Sequence, residues 1–164
     1  MFRVFIIGRS GSGKTTLAKQ LAKKLNLKVI HLDQLFWKSE KEWREAAEFR
    51  KLVGNLCLQE SWIIEGHYSD VFDLIFSKAD TIIYLDFSLL RCLYYELKRR
   101  LSSCFADDRK EIRPNISFFK ALSFVVGFSK HDKQKVKKAA ESLQNQKDFI
   151  ICKSPQEFKR KLHL

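Results

Sequence analysis

The sequence has few of the residues that mark disordered, fibrous or disulfide-stabilised proteins. Its 164 residues include six glycines, two prolines and four cysteines. The low glycine and proline content excludes a low-complexity or collagen-like chain, and the 45% of hydrophobic residues is typical of a globular protein. The length is that of one ordinary domain, so we predict a single domain over residues 1–164.

The cysteines show no sign of a disulfide framework or a zinc site. Cys57, Cys92, Cys104 and Cys152 form no C-x-x-C pair, and no cluster of histidines accompanies them. Three of the four stand among apolar residues, where a buried and unreactive thiol is the expected state.

Long hydrophobic runs are also missing. The N-terminal run, Phe2–Ile7, contains Arg3 and leads directly into a glycine loop, so it is too short for a secretory signal. The longest later run, residues 116–128, is broken by Lys120 and is shorter than a membrane span. We therefore expect a cytoplasmic protein with no membrane segment.

Acidic residues are outnumbered, and the net charge is +12. Residues 91–164 carry 18 Lys and Arg against 8 Asp and Glu, whereas residues 1–90 carry 13 against 11. A basic half indicates either an anionic partner, such as polyphosphate or nucleic acid, or a solvated lysine-rich face. No helix-turn-helix, zinc-finger or RNA-binding signature accompanies it.

Apolar runs of strand length alternate with stretches of helical periodicity along the chain. The predicted strands are Phe2–Ile7, Lys28–Leu32, Trp62–Ile64, Thr81–Leu85 and Phe149–Cys152. The predicted helices are Lys14–Leu25, a helix from Ser39 to Leu56, Leu89–Leu101, Ile116–Phe128, Asp132–Gln144 and a terminal helix after Ser154. This alternation predicts a three-layer α/β/α fold, in which helices cover both faces of a parallel sheet.

Two capping boxes mark predicted helix starts. They are the segments SEKE at residues 39–42 and SPQE at residues 154–157, the second with proline at the first helical position. In each box the serine side chain would accept from early helical N–H groups while the glutamate reaches back.

The strongest functional signal is a glycine loop between the first strand and the first helix. The run GRSGSGKT, residues 8–15, fits the pattern G-x-x-x-x-G-K-[ST] in full. Its backbone N–H groups and the positive end of the following helix favour phosphates. Lys14 is placed to reach the β- and γ-phosphates, and the Thr15 hydroxyl to ligate Mg²⁺. The predicted nucleotide-binding residues are Gly8, Arg9, Ser10, Gly11, Ser12, Gly13, Lys14, Thr15 and Thr16.

Three predicted strands end in an acidic residue, at the edge where open α/β sheets bind their ligands. These residues are Asp33, Glu65 and Asp86. We predict that Glu65 holds Mg²⁺ or touches the acceptor, and that Asp33 accepts a hydrogen bond or a proton from an acceptor hydroxyl. Each acid has the alternative role of capping a turn, and for Asp86 that role is the favoured one.

Aromatic residues follow two of these strand ends, in the pairs Phe36-Trp37 and His67-Tyr68. They either stack on a flat acceptor group or form a small core under a long loop, and the sequence leaves both readings open.

Arginines follow the fourth strand, where a transferring phosphoryl group would need them. Arg99 and Arg100 end the helix Leu89–Leu101, and Arg109 and Arg113 lie in the charged segment 102–115. We predict that Arg99 is catalytic and that residues 102–115 form a short lid that closes over the nucleotide. The alternative for the helical arginines is to complement the negative end of the helix dipole.

Taken together, these stretches resemble the adenylate-kinase-like P-loop kinases. More closely, the chain is similar to small proteins known as DNA topology modulation proteins or adenylate-kinase-related ATPases. The resemblance rests on IIGRSGSGKTTLAKQLAKKL, HLDQLFW, WIIEGHY, ADTIIYLDF and LKRR, which follow one another through the first 100 residues.

This resemblance implies a five-stranded parallel sheet of order 2-3-1-4-5, an acid–glycine pair at Glu65-Gly66 beside Mg²⁺ and the acceptor, and a lid-hinge role for Arg99 on the ATP phosphates. The chain departs from adenylate kinases at Tyr95, where they have an arginine near the adenine. It departs again at His67-Tyr68, where they have the proline–arginine that grips a monophosphate. The acceptor therefore stays open.

Two functional hypotheses follow. The first is an ATP- and Mg²⁺-dependent kinase that transfers the γ-phosphate to a small acceptor, a nucleotide, nucleoside or other metabolite, acting as a monomer or homodimer. Lys14, Asp33 and Arg99 are its predicted catalytic residues, and Thr15 and Glu65 its predicted metal ligands. The second is a nucleotide-dependent protein that associates with nucleic acid through the basic C-terminal half. A GTPase switch is not favoured, because the guanine-reading pattern N-K-x-D is missing.

Overall fold

The structure is a computed structural model, and it describes residues 2–39, 42–101, 125–127, 130–143 and 147–162. The predicted lid at 102–115 and most of the predicted helix 116–128 lie outside these ranges. Within them, no helix has both the length and the apolar content that crossing a lipid bilayer requires.

The five predicted strands form one parallel sheet. They are β1 (Arg3–Gly8), β2 (Val29–His31), β3 (Trp62–Glu65), β4 (Thr81–Leu85) and β5 (Asp148–Cys152). Their order across the sheet is β2-β3-β1-β4-β5, and every pairing is parallel. The sheet order 2-3-1-4-5 and the α/β class are therefore confirmed.

Seven helices are described around this sheet. They are α1 (Lys14–Leu25), α2 (Leu32–Phe36), α3 (Ala46–Cys57), α4 (Phe72–Lys78), α5 (Leu89–Leu101), α6 (Lys130–Leu143) and α7 (Pro155–Leu162), with a 3₁₀ turn at Ser69–Val71. Helices α1, α5 and α7 supply side chains to the core on one face, and α3, α4 and α6 to the core on the other. The sheet is thus covered on both faces, as its continuous apolar strands require.

Strand residues alternate between the two cores, and this alternation fixes which side chains face α1. In β1, Phe5 and Ile7 point to the α3 side, whereas Val4 and Ile6 point to the α1 side. All four are fully buried. Because successive side chains of a strand point to opposite faces, the register between strands decides which polar residues meet at the carboxyl edge.

The capping box predicted at residues 39–42 is wrong. Helix α3 begins at Ala46 without a side-chain cap. Instead, Trp37 and Trp43 form an antiparallel bridge, the Arg44 N–H donates to Phe36 O over 2.8 Å, and the Ser39 N–H donates to Glu42 O over 3.2 Å. These hydrogen bonds take up backbone groups of Ser39, Glu42 and Arg44 that a helix starting at Ser39 would need.

The second capping box is confirmed. The Glu157 N–H donates to Ser154 Oγ over 3.1 Å, and the Glu157 carboxylate accepts from the Lys153 N–H over 2.7 Å. Pro155 is the first residue of α7, where its missing N–H is not needed.

Candidate nucleotide and acceptor site

The glycine loop joins the central strand β1 to α1 at the carboxyl edge of the sheet. Gly11 and Gly13 have φ angles of 79° and 86°, which residues with a Cβ rarely adopt. The Ser12 N–H donates to Arg9 O over 3.1 Å and closes the turn. The loop therefore has the strand–turn–helix context that a phosphate-binding P-loop requires.

A cavity of about 460 Å³ opens beside this loop. It is lined by the loop and α1, by side chains of α5 and α7, and by Phe87 after β4. Its lining residues are Gly11, Ser12, Gly13, Lys14, Thr15, Thr16, Gln20, Phe87, Tyr95, Glu96, Lys98, Pro155, Phe158 and Lys159. A lining that combines the polar loop with the rings of Phe87, Tyr95 and Phe158 suits a phosphorylated ligand with a flat apolar part.

Two basic side chains are folded into the loop itself. Lys14 is 7% exposed, and its Nζ donates to Arg9 O over 3.0 Å. The Arg9 guanidinium is also buried and donates to Val125 O. The loop thus carries two buried positive charges within the predicted phosphate site.

Glu65 stands at the end of β3, immediately beside α1. Its Oε1 accepts from Thr15 Oγ1 over 3.0 Å and lies 2.7 Å from His31 Nδ1. The carboxylate is 7% exposed and the imidazole 11%. The structure therefore brings together Thr15 and Glu65, the two predicted metal ligands, and adds a histidine that was not predicted.

Asp33 lies in the first turn of α2, because β2 ends at His31 and not at Leu32 as predicted. Its Oδ1 accepts from the Tyr68 hydroxyl over 2.8 Å. Tyr68 follows β3, so the bond links the ends of two neighbouring strands. Asp33 is half-buried at the same edge as Glu65.

The aromatic residues near Asp33 divide into two groups. The Phe36 ring packs against Tyr68 and Phe49, with centroids 4.9 and 5.4 Å apart, and it belongs with the buried core on the α3 side. Trp43 is 55% exposed and meets Trp37 edge-on at 6.2 Å. The small-core reading holds for Phe36, whereas the tryptophan pair remains accessible to a ligand.

Asp86 follows β4 and is held by the protein. Its Oδ1 accepts from Lys133 Nζ over 2.8 Å and from the Tyr84 hydroxyl over 3.0 Å. Burial raises the pKa of this carboxyl, but the hydrogen bonds from Lys133 and Tyr84 outweigh burial and hold the pKa below its ordinary value. These contacts fit the structural reading of Asp86.

The arginine predictions fall largely outside the described side chains. Arg99 lies in α5, but the description does not extend to its side chain, and Arg109 and Arg113 belong to the undescribed segment 102–124. The catalytic role of Arg99 and the lid therefore stay predictions.

Sequence reasoning missed His31 and Glu96 as parts of the site, and it considered Tyr95 only as a departure from adenylate kinases. Tyr95 and the buried Glu96 line the cavity from α5. His31 was detectable only through the pairing of β2 with β3, which places it opposite Glu65. A sequence pattern does not give that register before the sheet order is known.

Comparisons with known proteins agree with this architecture. The chain is 43% identical over 56 residues to a shikimate kinase of Bacteroides thetaiotaomicron, a match that covers 34% of this chain and 27% of the relative. A shikimate kinase of Bacteroides fragilis is 41% identical over 56 residues, covering 34% and 26%. The matched segment thus spans about a quarter of the length of these curated relatives.

Solved structures share the fold at low identity. A shikimate kinase from Acinetobacter baumannii in complex with shikimate superposes with a TM-score of 0.53 at 16% identity, covering 99% of this chain and 88% of the other. A sugar kinase from Janibacter sp. HTCC2649 gives 0.51 at 18% identity, covering 98% and 91%. The family model described as AAA domain matches residues 4–113, and because this is more than half of the chain, the chain belongs to that AAA domain family.

Proposed function

We propose that this protein is an ATP-dependent phosphotransferase that moves the γ-phosphate of Mg-ATP to a small acceptor. The carrying observation is the junction of Thr15 and Glu65, whose side-chain oxygens lie 3.0 Å apart where β3 meets the glycine loop. The Glu65 carboxylate thus lies beside the glycine loop, a position from which an acidic residue would help to hold the metal ion that phosphoryl transfer needs.

The loop and the cavity supply the nucleotide site. Backbone N–H groups of residues 8–16 and the Lys14 ammonium would hold the phosphates, and the rings of Tyr95 and Phe158, which line the cavity, would contact the base. Arg99 would add a positive charge to the transferring group. This charge stabilisation is the main contribution that a protein makes to phosphoryl transfer.

The residues at the junction fit Mg²⁺. Both are oxygen donors, and Mg²⁺ takes one or two protein oxygens together with phosphates and water. The Thr15 hydroxyl donates a hydrogen bond to Glu65, and the lone pairs of its oxygen stay available to a metal. Bound Mg²⁺ would neutralise charge on the β- and γ-phosphates.

Asp33 would orient the acceptor. The Tyr68 hydroxyl fixes one carboxylate oxygen of Asp33, so that the carboxylate has a defined direction from which to accept the proton of an acceptor hydroxyl. Trp37 and the exposed Trp43 lie on the α2–α3 connection that follows Asp33 and would contact the remainder of the acceptor.

The acceptor class is tested by measuring ADP release from Mg-ATP over a panel of compounds. The panel holds shikimate, simple sugars, nucleosides and nucleoside monophosphates, because the chain resembles shikimate kinases over 56 residues and shares the fold of a sugar kinase. We expect strong stimulation by one class. The Lys14→Ala variant should remain folded and release no ADP above background.

A second variant separates the acceptor role from nucleotide binding. Asp33→Asn should lower acceptor-dependent turnover by about 10²–10⁴-fold and leave the Kd for ATP nearly unchanged. An equal loss in turnover and ATP affinity would refute the role of Asp33. ATP binding without stimulation by any acceptor would contradict phosphotransfer to a small molecule and would favour the nucleic-acid hypothesis.

The finer parts of the sequence interpretation stay predictions. They are the closer resemblance to DNA topology modulation proteins, the cytoplasmic location, the state as monomer or homodimer, and the association of the basic half with nucleic acid. The same ADP-release assay with DNA and RNA in place of the acceptor panel tests the last of these.

A further inference from the structure

The register of the sheet brings a histidine to the metal side of the proposed site. His31 is the last residue of β2, and its pairing partner in β3 is Glu65. Paired residues on neighbouring strands project from the same face. The residues that precede them, Ile30 and Ile64, both point to the α3 side, so His31 and Glu65 both face α1.

The contact between His31 and Glu65 is short and shielded from water. His31 Nδ1 lies 2.7 Å from Glu65 Oε1, and both side chains are about nine-tenths buried. A carboxylate only accepts hydrogen bonds, so Nδ1 is the protonated ring nitrogen and donates the hydrogen bond. A hydrogen bond to a charged group is strengthened where water is excluded.

The same carboxylate oxygen receives a second donor from a different element. Thr15 Oγ1 donates to Glu65 Oε1 over 3.0 Å from the first turn of α1. The oxygen is therefore fixed from two sides, by the end of β2 and by the start of α1. A glutamate has several rotatable bonds, and two donors on one oxygen restrict it to a narrow range of positions.

We infer that His31 is a positioning residue, which fixes the Glu65 carboxylate for a divalent cation bound with the nucleotide. The inference rests on the proposed function, since it needs the cation between Thr15, Glu65 and the phosphates. His31 contacts neither nucleotide nor acceptor in this role. Partners of this kind, one shell behind a metal ligand, typically change metal affinity or activity by about 10–100-fold when they are removed.

Two variants separate the hydrogen bond from the space that the ring fills. His31→Phe keeps a ring but removes the donor, whereas His31→Asn places an amide N–H near the position of Nδ1. For each protein, calorimetric titration gives the Kd of a non-hydrolysable ATP analogue with Mg²⁺ and with EDTA. The Kd in EDTA divided by the Kd with Mg²⁺ measures how strongly Mg²⁺ supports nucleotide binding. This ratio requires no turnover.

We expect His31→Phe to lower this ratio by about 10-fold or more, with the Kd in EDTA unchanged, and His31→Asn to restore most of it. An unchanged ratio in His31→Phe would overturn the inference. So would an equal weakening of binding with and without Mg²⁺, which indicates a purely structural role, or a folded His31→Asn variant that behaves like His31→Phe.

The acceptor panel distinguishes this result from the proposed function. A wild-type protein that shows the Mg²⁺ effect and its loss in His31→Phe, but phosphorylates no acceptor, supports the role of His31 and refutes transfer to a small molecule. A wild-type protein whose nucleotide binding does not respond to Mg²⁺ overturns the positioning role, even if ATP is bound.

Discussion

Two glycines in the phosphate loop offer a matched pair of substitutions with different expected costs. Gly11 and Gly13 have nearly the same positive φ, 79° and 86°. A Cβ at Gly11 would clash with the backbone oxygen of Cys92 in α5, whereas no described atom lies within 4 Å of a Cβ at Gly13. Gly11→Ala therefore adds a clash to the backbone strain that both substitutions share.

The magnitudes follow from these two terms. The left-handed conformation costs an alanine about 1–2 kcal/mol, and this is the whole expected effect of Gly13→Ala. Forcing an extra carbon into a packed contact costs about 1–3 kcal/mol more, because the Cys92 carbonyl is fixed within a helix and cannot rotate away. Gly11→Ala should thus lower the free energy of unfolding by about 2–5 kcal/mol.

Urea denaturation of the ligand-free proteins, followed by far-UV circular dichroism, measures the difference. In thermal melts of the same proteins, each kcal/mol of lost stability lowers Tm by about 2–4 °C for a chain of this length, so Gly11→Ala should melt clearly below Gly13→Ala. Equal destabilisation by the two variants would refute the close approach of the loop to α5. A larger loss of stability for Gly13→Ala would contradict the clash at Gly11. It would also contradict the argument that the two substitutions share the same backbone strain.

Three further predictions concern stability and thiol chemistry. Asp80 accepts from the N–H groups of residues 2 and 3 over 3.0 and 2.7 Å. Burial raises the pKa of Asp80, but the hydrogen bonds lower it by more than burial raises it, so the net pKa lies below the ordinary value. Asp80→Asn should therefore cost about 1 kcal/mol at neutral pH, and in chemical denaturation at several pH values the difference should vanish as the pH falls through the folded-state pKa, below about 4. Ser154→Ala should cost about 1 kcal/mol by removing the α7 cap, and Ser154→Asp should not; equal losses in thermal melts would contradict the cap. Burial raises the pKa of Cys57 and of Cys152 to about 11, so a thiol reagent at pH 8 should label them only on unfolding, and rapid labelling of the native protein would show that they are accessible.

Elements with strong local signals were predictable from the sequence alone. Helix α1 and strand β4 have the predicted bounds, Lys14–Leu25 and Thr81–Leu85. In both, the apolar pattern and the flanking residues predict the same structure. The glycine loop was predictable for the same reason.

Two similar capping boxes show where local reasoning ends. The box at Ser154 opens α7, whereas the box at Ser39 does not open a helix. Proline at the first helical position supports the former. The latter lies between Trp37 and Trp43, which form an antiparallel bridge, and a pairing of this kind depends on tertiary packing.

The site was predictable as a set of strand ends but not as a set of contacts. Glu65 and Asp33 were expected at the carboxyl edge, and both lie there. Their partners, His31 and Tyr68, are 34 and 35 residues away in the chain. Only the register between β2 and β3 and the connection after β3 bring these pairs together, and neither is encoded in a short motif.

The central position of β1 has a consequence for synthesis. Its pairing partners begin at Trp62 in β3 and Thr81 in β4, about 60 to 80 residues later in the chain. At roughly 5–20 residues per second, the fully apolar segment Val4–Ile7 leaves the ribosome several seconds before either neighbour exists. During that interval it is an unpaired strand with aggregation-prone composition, so the nascent chain should depend on a chaperone or on transient cover by α1 until β4 has been made.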